Sequence, residues 1–218
     1  MKTSVVVVGL CLLLASIAAG QDSLNCREKG SWPFGPSYYA VALDPSRNLA
    51  FMGSGGGVYV LDVANPAQPV KLSEAIHTRG EVWGLCYQAN RLYIAASQAG
   101  LEIWDVTNPV APTRLGHCDT PSYAEGVALS GNYAYVADRD SGLRIINVSN
   151  PQSPYEAGYY VTPDYAWGVA VSGSYAYVAD GYSGLRIINV SNPQSPYEAG
   201  YCATPGEAFD VAVSGSFA

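Results

Sequence analysis

Short apolar runs recur along this chain, and each is closed by glycine, serine or an Asn-Pro step. The stretch from Tyr165 to Cys202 shows the pattern. Gly168-Val169-Ala170-Val171 is an apolar run, and Ser172-Gly173-Ser174 supplies a turn. Tyr175 to Asp180 then alternates large and small side chains, the period-two signature of a strand. After Gly181-Tyr182-Ser183-Gly184, a β-branched run from Leu185 to Val190 ends at Asn192-Pro193. Ser195 to Tyr201 is more polar and carries Pro196, which suits an edge strand where a missing N–H does no harm. The pattern predicts four strands with turns between them. No stretch after residue 20 has helical periodicity of useful length.

The unit repeats. GLRIINVSNPQSPYEAGY begins at Gly142 and again at Gly184, and divergent copies begin at Gly57 and Gly100. The repeat prolines Pro66, Pro109, Pro151 and Pro193 are spaced by 43, 42 and 42 residues. A four-stranded unit of that length cannot bury both faces by itself. Ranked around an axis, such units cover one another, which predicts an all-β fold, a β-propeller. The predicted blades span about 38–76, 82–118, 123–160 and 165–202. The first strand of each, short and small-sided, lies nearest the axis. Phe209 to Val213 repeats the first strand of a fifth blade (207–218), so the chain reads as truncated within that blade. Residues 21–37 form a lead-in segment.

The motif Leu-Arg-Ile-Ile-Asn-Val-Ser-Asn-Pro at 143–151 and 185–193, with Val58 to Val63 and Leu101 to Val106, resembles the LVIVD repeat. The resemblance covers about 32–218. It implies a β-propeller, an extracytoplasmic setting among bacterial or archaeal surface proteins, and no shared catalytic residues. Asn147 and Asn189 stand where the family, Asp62 and Asp105 have aspartate. Either side chain accepts a backbone hydrogen bond in the turn that follows.

Composition adds limits. The formal charge is −7 and no basic cluster exists, which argues against a nucleic-acid partner. Lys2, the apolar run from Val5 to Ala19 and the small residues Ala18-Ala19-Gly20 read as an export signal over residues 1–20. The run is short for a bilayer span, so no stable membrane span is expected once the signal is removed. The expected location is extracellular or at the cell surface. Export permits disulfides, and Cys26, Cys86, Cys118 and Cys202 allow three full pairings that sequence does not resolve. Cys118 and Cys202 hold the same repeat position two blades apart, which disfavours a bridge between them.

Candidate chemistry is sparse. The residue before each first strand is Tyr39, Trp83, Glu125, Trp167 or Phe209, a position expected at the mouth of the central channel. These residues make either a plug or a stacking surface for a sugar or a peptide side chain. Asp138 and Asp180 end second strands, where they cap a turn or line a ligand site; the turn role is favoured, through backbone N–H groups of the next turn. Asp138-Arg139-Asp140 begins like a calcium loop but lacks the remaining ligands. His77 and His117 match no triad and are expected on surface loops. Asn147-Val148-Ser149 and Asn189-Val190-Ser191 fit the glycosylation sequon, yet a turn-capping asparagine explains them. No metal site, cofactor or catalytic residue is predicted. The expected function is a secreted or surface-exposed, non-catalytic interaction module for a protein or glycan. The alternatives are a hydrolase or lyase acting on an extracellular polymer, and a structural spacer.

Overall fold

A computed structural model describes residues 38–215, 217 and 218. The export signal, the lead-in segment, Cys11 and Cys26 lie outside the described residues.

Sixteen strands form four antiparallel sheets of four, each in sequence order. Blade 1 contains β1 (Tyr38–Asp44), β2 (Leu49–Ser54), β3 (Gly57–Asp62) and β4 (Val70–His77). Blade 2 contains β5 (Gly84–Gln88), β6 (Arg91–Ala95), β7 (Leu101–Asp105) and β8 (Thr113–Cys118). Blade 3 contains β9 (Gly126–Ser130), β10 (Tyr133–Ala137), β11 (Leu143–Asn147) and β12 (Tyr155–Tyr160). Blade 4 contains β13 (Ala166–Ser172), β14 (Tyr175–Asp180), β15 (Leu185–Asn189) and β16 (Tyr197–Cys202). Strand β1 touches β5, β5 touches β9 and β9 touches β13, so the first strands form the inner rim. The architecture is the β-propeller expected from the repeat. Among the described residues, no helix is long and apolar enough to cross a membrane.

Alternation along each strand sends neighbours to opposite faces. In β11, Ile145 packs with Val178 and Ile188 of blade 4, while Ile146 packs with Tyr93 and Ile103 of blade 2. In β7, Ile103 faces blade 3 and Trp104 faces Phe51 and Val60 of blade 1. The core is therefore three seams between blades and a smaller cluster of Ala50, Tyr59 and Leu61 on the other face of blade 1, and an isolated blade would expose two apolar faces. Ile103, Ile145 and Ile146 are fully buried, each contributing on the order of 1.5–3 kcal/mol.

Close backbone approach explains the glycines. A β-carbon on Gly84 would sit 2.7 Å from the Glu125 carbonyl, and one on Gly126 would sit 3.0 Å from the Trp167 carbonyl. Near the outer edge, a β-carbon on Gly158 would sit 2.2 Å from the Pro193 carbonyl.

One expectation is corrected. Phe209 to Val213 forms no strand, and only the bridges Gly181↔Ala208 and Ser214↔Phe217 occur there. Every other first strand is paired along its length by the second strand of its own blade. Among the described residues that follow, Ser214 bridges Phe217 and no ladder forms. The segment still abuts β13, for a β-carbon on Gly168 would lie 2.9 Å from the Asp210 Cα.

Candidate aromatic mouth

The five sequence-singled residues do share one position. In β1 the register skips a residue between Tyr38 and Ala40, and in β13 between Ala166 and Gly168. Tyr39 and Trp167 are thus bulge residues, turned out of the ladder. The Trp83 amide donates to the Ala95 carbonyl and the Glu125 amide to the Ala137 carbonyl, the same bond one repeat apart. Phe209 follows Ala208, which bridges Gly181 as Ala166 bridges Arg139. All five lie at the end of the inner rim where the first strands begin.

Two aromatic groups result. Tyr39 and Trp83 stack with centroids 4.2 Å apart and planes 19° from parallel. Trp167 meets Phe209 at 5.8 Å and meets Tyr165 edge-on at 6.0 Å. Glu125 stands between the groups in sequence and is buried, whereas Tyr39, Trp83 and Trp167 are half-buried and Phe209 and Tyr165 are exposed.

Arg139 joins the second group. Its guanidinium carbon lies 4.9 Å from the Trp167 ring centroid, 5.1 Å from Tyr123 and 5.4 Å from Tyr165. The residue has φ +43°, a left-handed conformation. Its equivalents in the other blades are Gly55, Ser97 and Gly181, each at φ +50°. Sequence reading treated Arg139 only as part of a failed calcium motif. Its non-glycine identity at a position otherwise held by glycine or serine was the available signal.

Asp138 and Asp180 are fully buried. The Asp138 carboxylate accepts from Thr120 Oγ1 at 2.6 Å and from the Ser122 amide at 3.0 Å. Asp180 accepts from the Asp164 amide at 3.3 Å. Both therefore hold the segment entering their blade, and not the next turn as expected. The reason is direction: the turn that follows is closed by backbone bonds, Asp138 to Gly142 and Asp180 to Gly184. Burial pushes both carboxyls above the usual range, against the pull of these donors and of Arg144 or Arg186.

The arginines were missed by sequence reading. Arg144 Nε lies 3.8 Å from Asp138 and its Nη1 lies 3.4 Å from Glu156. Arg186 repeats this with Asp180 and Glu198, each at 3.4 Å. In blade 2 the charges are reversed. Fully buried Glu102 holds the place of Arg144, and Arg114 holds the place of Glu156, 3.9 Å away. Arg79 also reaches Glu102, at 3.2 Å. A charge inside a strand of otherwise buried residues was the sign of a partner.

The remaining candidates are dispersed. His77 and His117 are exposed, as expected, but they lie in outer strands β4 and β8 and not in loops. Asn147 and Asn189 each accept from the serine amide two residues on, at 3.0 Å, as Asp62 and Asp105 accept in blades 1 and 2. Asp140 accepts from Ser122 Oγ, and among the described residues no group of metal-binding side chains assembles. Cys86, Cys118 and Cys202 are free thiols, and burial pushes the Cys86 and Cys118 thiols up, away from reactive thiolate.

The designed Ika8 protein has a similar crystal structure, with a TM-score of 0.66 and 12% identity over 82% of this chain and 53% of that one. The chain thus spans about half the length of Ika8. The designed Ika4 protein is similar at a TM-score of 0.60 and 15% identity, over 78% of this chain and 98% of that one. Identities this low speak to the fold alone. A comparison with curated protein sequences found no match. The family model of the LVIVD repeat matches three consecutive segments, 79–120, 121–162 and 163–204, each coinciding with one blade and the linker around it. With more than half of its length matched in register with its own blades, this chain belongs to the LVIVD repeat family.

Proposed function

We propose that the propeller is an exported, non-catalytic interaction module that holds a protein or glycan partner on its aromatic mouth. One observation carries the reading: blades 1, 2 and 4 and the segment after blade 4 deliver half-buried or exposed rings to one position at one end of the inner rim, where blade 3 has Glu125. A buried plug would hide those rings. Rigid rings also bind at low entropic cost, since few torsions must be fixed.

The test screens glycan and peptide arrays with the full chain, then measures the hits with a Trp83→Ala/Trp167→Ala variant. Affinity should fall by at least about tenfold, roughly 1.4 kcal/mol. Circular dichroism should stay that of a folded β protein. Unchanged affinity for every hit would refute the mouth as the binding surface. A parallel screen for cleavage of bound polymers should detect no product.

Export rests on Lys2 and the apolar run from Val5 to Ala19. N-terminal sequencing of the mature protein from culture medium should begin near Gln21. Recovery of the protein only inside cells, starting at Met1, would contradict it.

A further inference from the structure

We propose that the mouth takes an acidic glycan, with Arg139 binding a uronate carboxylate while Trp167 and Tyr165 stack on the sugar ring. The inference rests on the reading of the mouth as a binding surface, and it names the ligand class.

Three observations meet at Arg139. First, its backbone place is one that glycine or serine fills in the other blades, all with positive φ. A long side chain is disfavoured there, and strain of this kind concentrates at functional sites. Second, no carboxylate meets the side chain within 4 Å among the described residues. Arg47, Arg79, Arg114, Arg144 and Arg186 each have a carboxylate oxygen within 3.9 Å. Among the described residues Arg139 has only ring faces, those of Tyr123, Tyr165 and Trp167. Its buried Nε has no hydrogen-bond partner among the described residues. Third, the rings hold the planar guanidinium in place, and a fixed guanidinium matches a carboxylate with two parallel hydrogen bonds. The cation lies between Asp138 and Asp140 in sequence, beside the exposed Tyr165 ring and the half-buried Tyr123 and Trp167 rings.

An extended peptide fits less well. The backbone groups of Arg139 and Ala166 already bond each other at 3.1 Å in both directions, so no strand edge is open beside the cation. A pyranose needs no such edge. Its C–H face lies on a ring, and its carboxylate reaches the guanidinium.

The experiment is calorimetric titration of the full chain with oligogalacturonate, a neutral galacto-oligosaccharide and polyglutamate, each at low and high salt. The informative variant is Arg139→Gly, which places at 139 the residue already found at 55 and 181. It should still fold, because relief of the left-handed strain offsets part of the lost ring contacts. Oligogalacturonate should bind the parent, more weakly in high salt, and Arg139→Gly should lose about tenfold or more in affinity. Equal affinity for the neutral sugar, or no loss in Arg139→Gly, overturns the acidic-glycan assignment while leaving the mouth standing. Binding of polyglutamate in preference to oligogalacturonate overturns the glycan assignment. If none of these ligands binds and the tryptophan variant also keeps every array hit, both readings fall.

Discussion

Gly142→Ala is expected to be among the most damaging single-methyl changes in this chain. At φ +72° a β-carbon is disfavoured by about 1–2 kcal/mol. Here it would also lie 2.4 Å from the Tyr160 carbonyl oxygen and 2.5 Å from the Thr162 amide. Both obstacles are backbone, so neither can swing away. Together strain and overpacking should cost about 3 kcal/mol or more. For a chain of this size that lowers Tm by roughly 6–12 °C. Gly131→Ala is the control. It has φ +57°, but nothing lies within 4 Å of the added carbon, so only the conformational penalty applies. Equal Tm losses for the two variants, read by differential scanning calorimetry, would show that the tight approach of β11 to the strand exit at Tyr160 is not a constraint.

Asp44→Ala should be of similar size, for a different reason. Asp44 is 1% exposed at the end of the inner rim opposite the mouth. It pairs with Arg47 and accepts from Ser46 Oγ at 2.6 Å and Tyr87 Oη at 2.7 Å. Arg47 in turn donates to the Val106 carbonyl at 3.0 Å, and so ties blade 1 to blade 2. Removing the carboxylate strands a half-buried cation and a tyrosine, at a cost of about 3 kcal/mol. Asp44→Asn should lose less, because its one amide oxygen can still accept from Ser46, although the oxygen that receives Tyr87 and Arg47 is lost.

The same residue sets a sign for pH dependence. Burial by itself raises the Asp44 carboxyl, but hydrogen bonds from Ser46, Arg47 and Tyr87 outweigh it and hold the carboxyl well below its usual range. Its stabilisation is therefore complete above the unfolded carboxyl value, about 4, and drains away as pH falls toward the folded value. Asp138 and Asp180 act oppositely. Their folded values are raised by burial, so the stability they add is present below about pH 4 and is lost as pH rises through the folded values. A Tm profile of Asp44→Asn should thus show a shallower fall in acid than the parent. An Asp138→Asn/Asp180→Asn variant should show a steeper net fall. Parallel profiles for all three proteins would contradict these assignments.

Much of the molecule was legible because repetition makes a sequence its own alignment. The interval from Pro109 to Pro151 to Pro193 located the blades, and the alternation from Tyr175 to Asp180 located a strand. The turn role of Asn147 was readable because its acceptor bonds an amide only two residues away. The role of Asp138 was harder, since its donors Thr120 and Ser122 lie 18 and 16 residues upstream. The mouth residues were found by counting from the period, but their pairing was not. Tyr39 stacks on Trp83 across a whole blade. The fifth first strand differs because an apolar pattern marks a tendency to pair, whereas among the described residues Phe209 to Val213 joins no ladder.

The sequence by itself determined the unit: four short strands, their order, their turns and the need to stack, since local alternation and turn chemistry act over a few residues. Tertiary structure alone decided which charges meet and which rings gather. The reversal from Arg144 with Glu156 to Glu102 with Arg114, and the seat of Arg139 among three rings, depend on strand register and on the distance between blades. Those are properties of packed sheets, set when apolar faces close on one another, and no run of neighbouring residues encodes them.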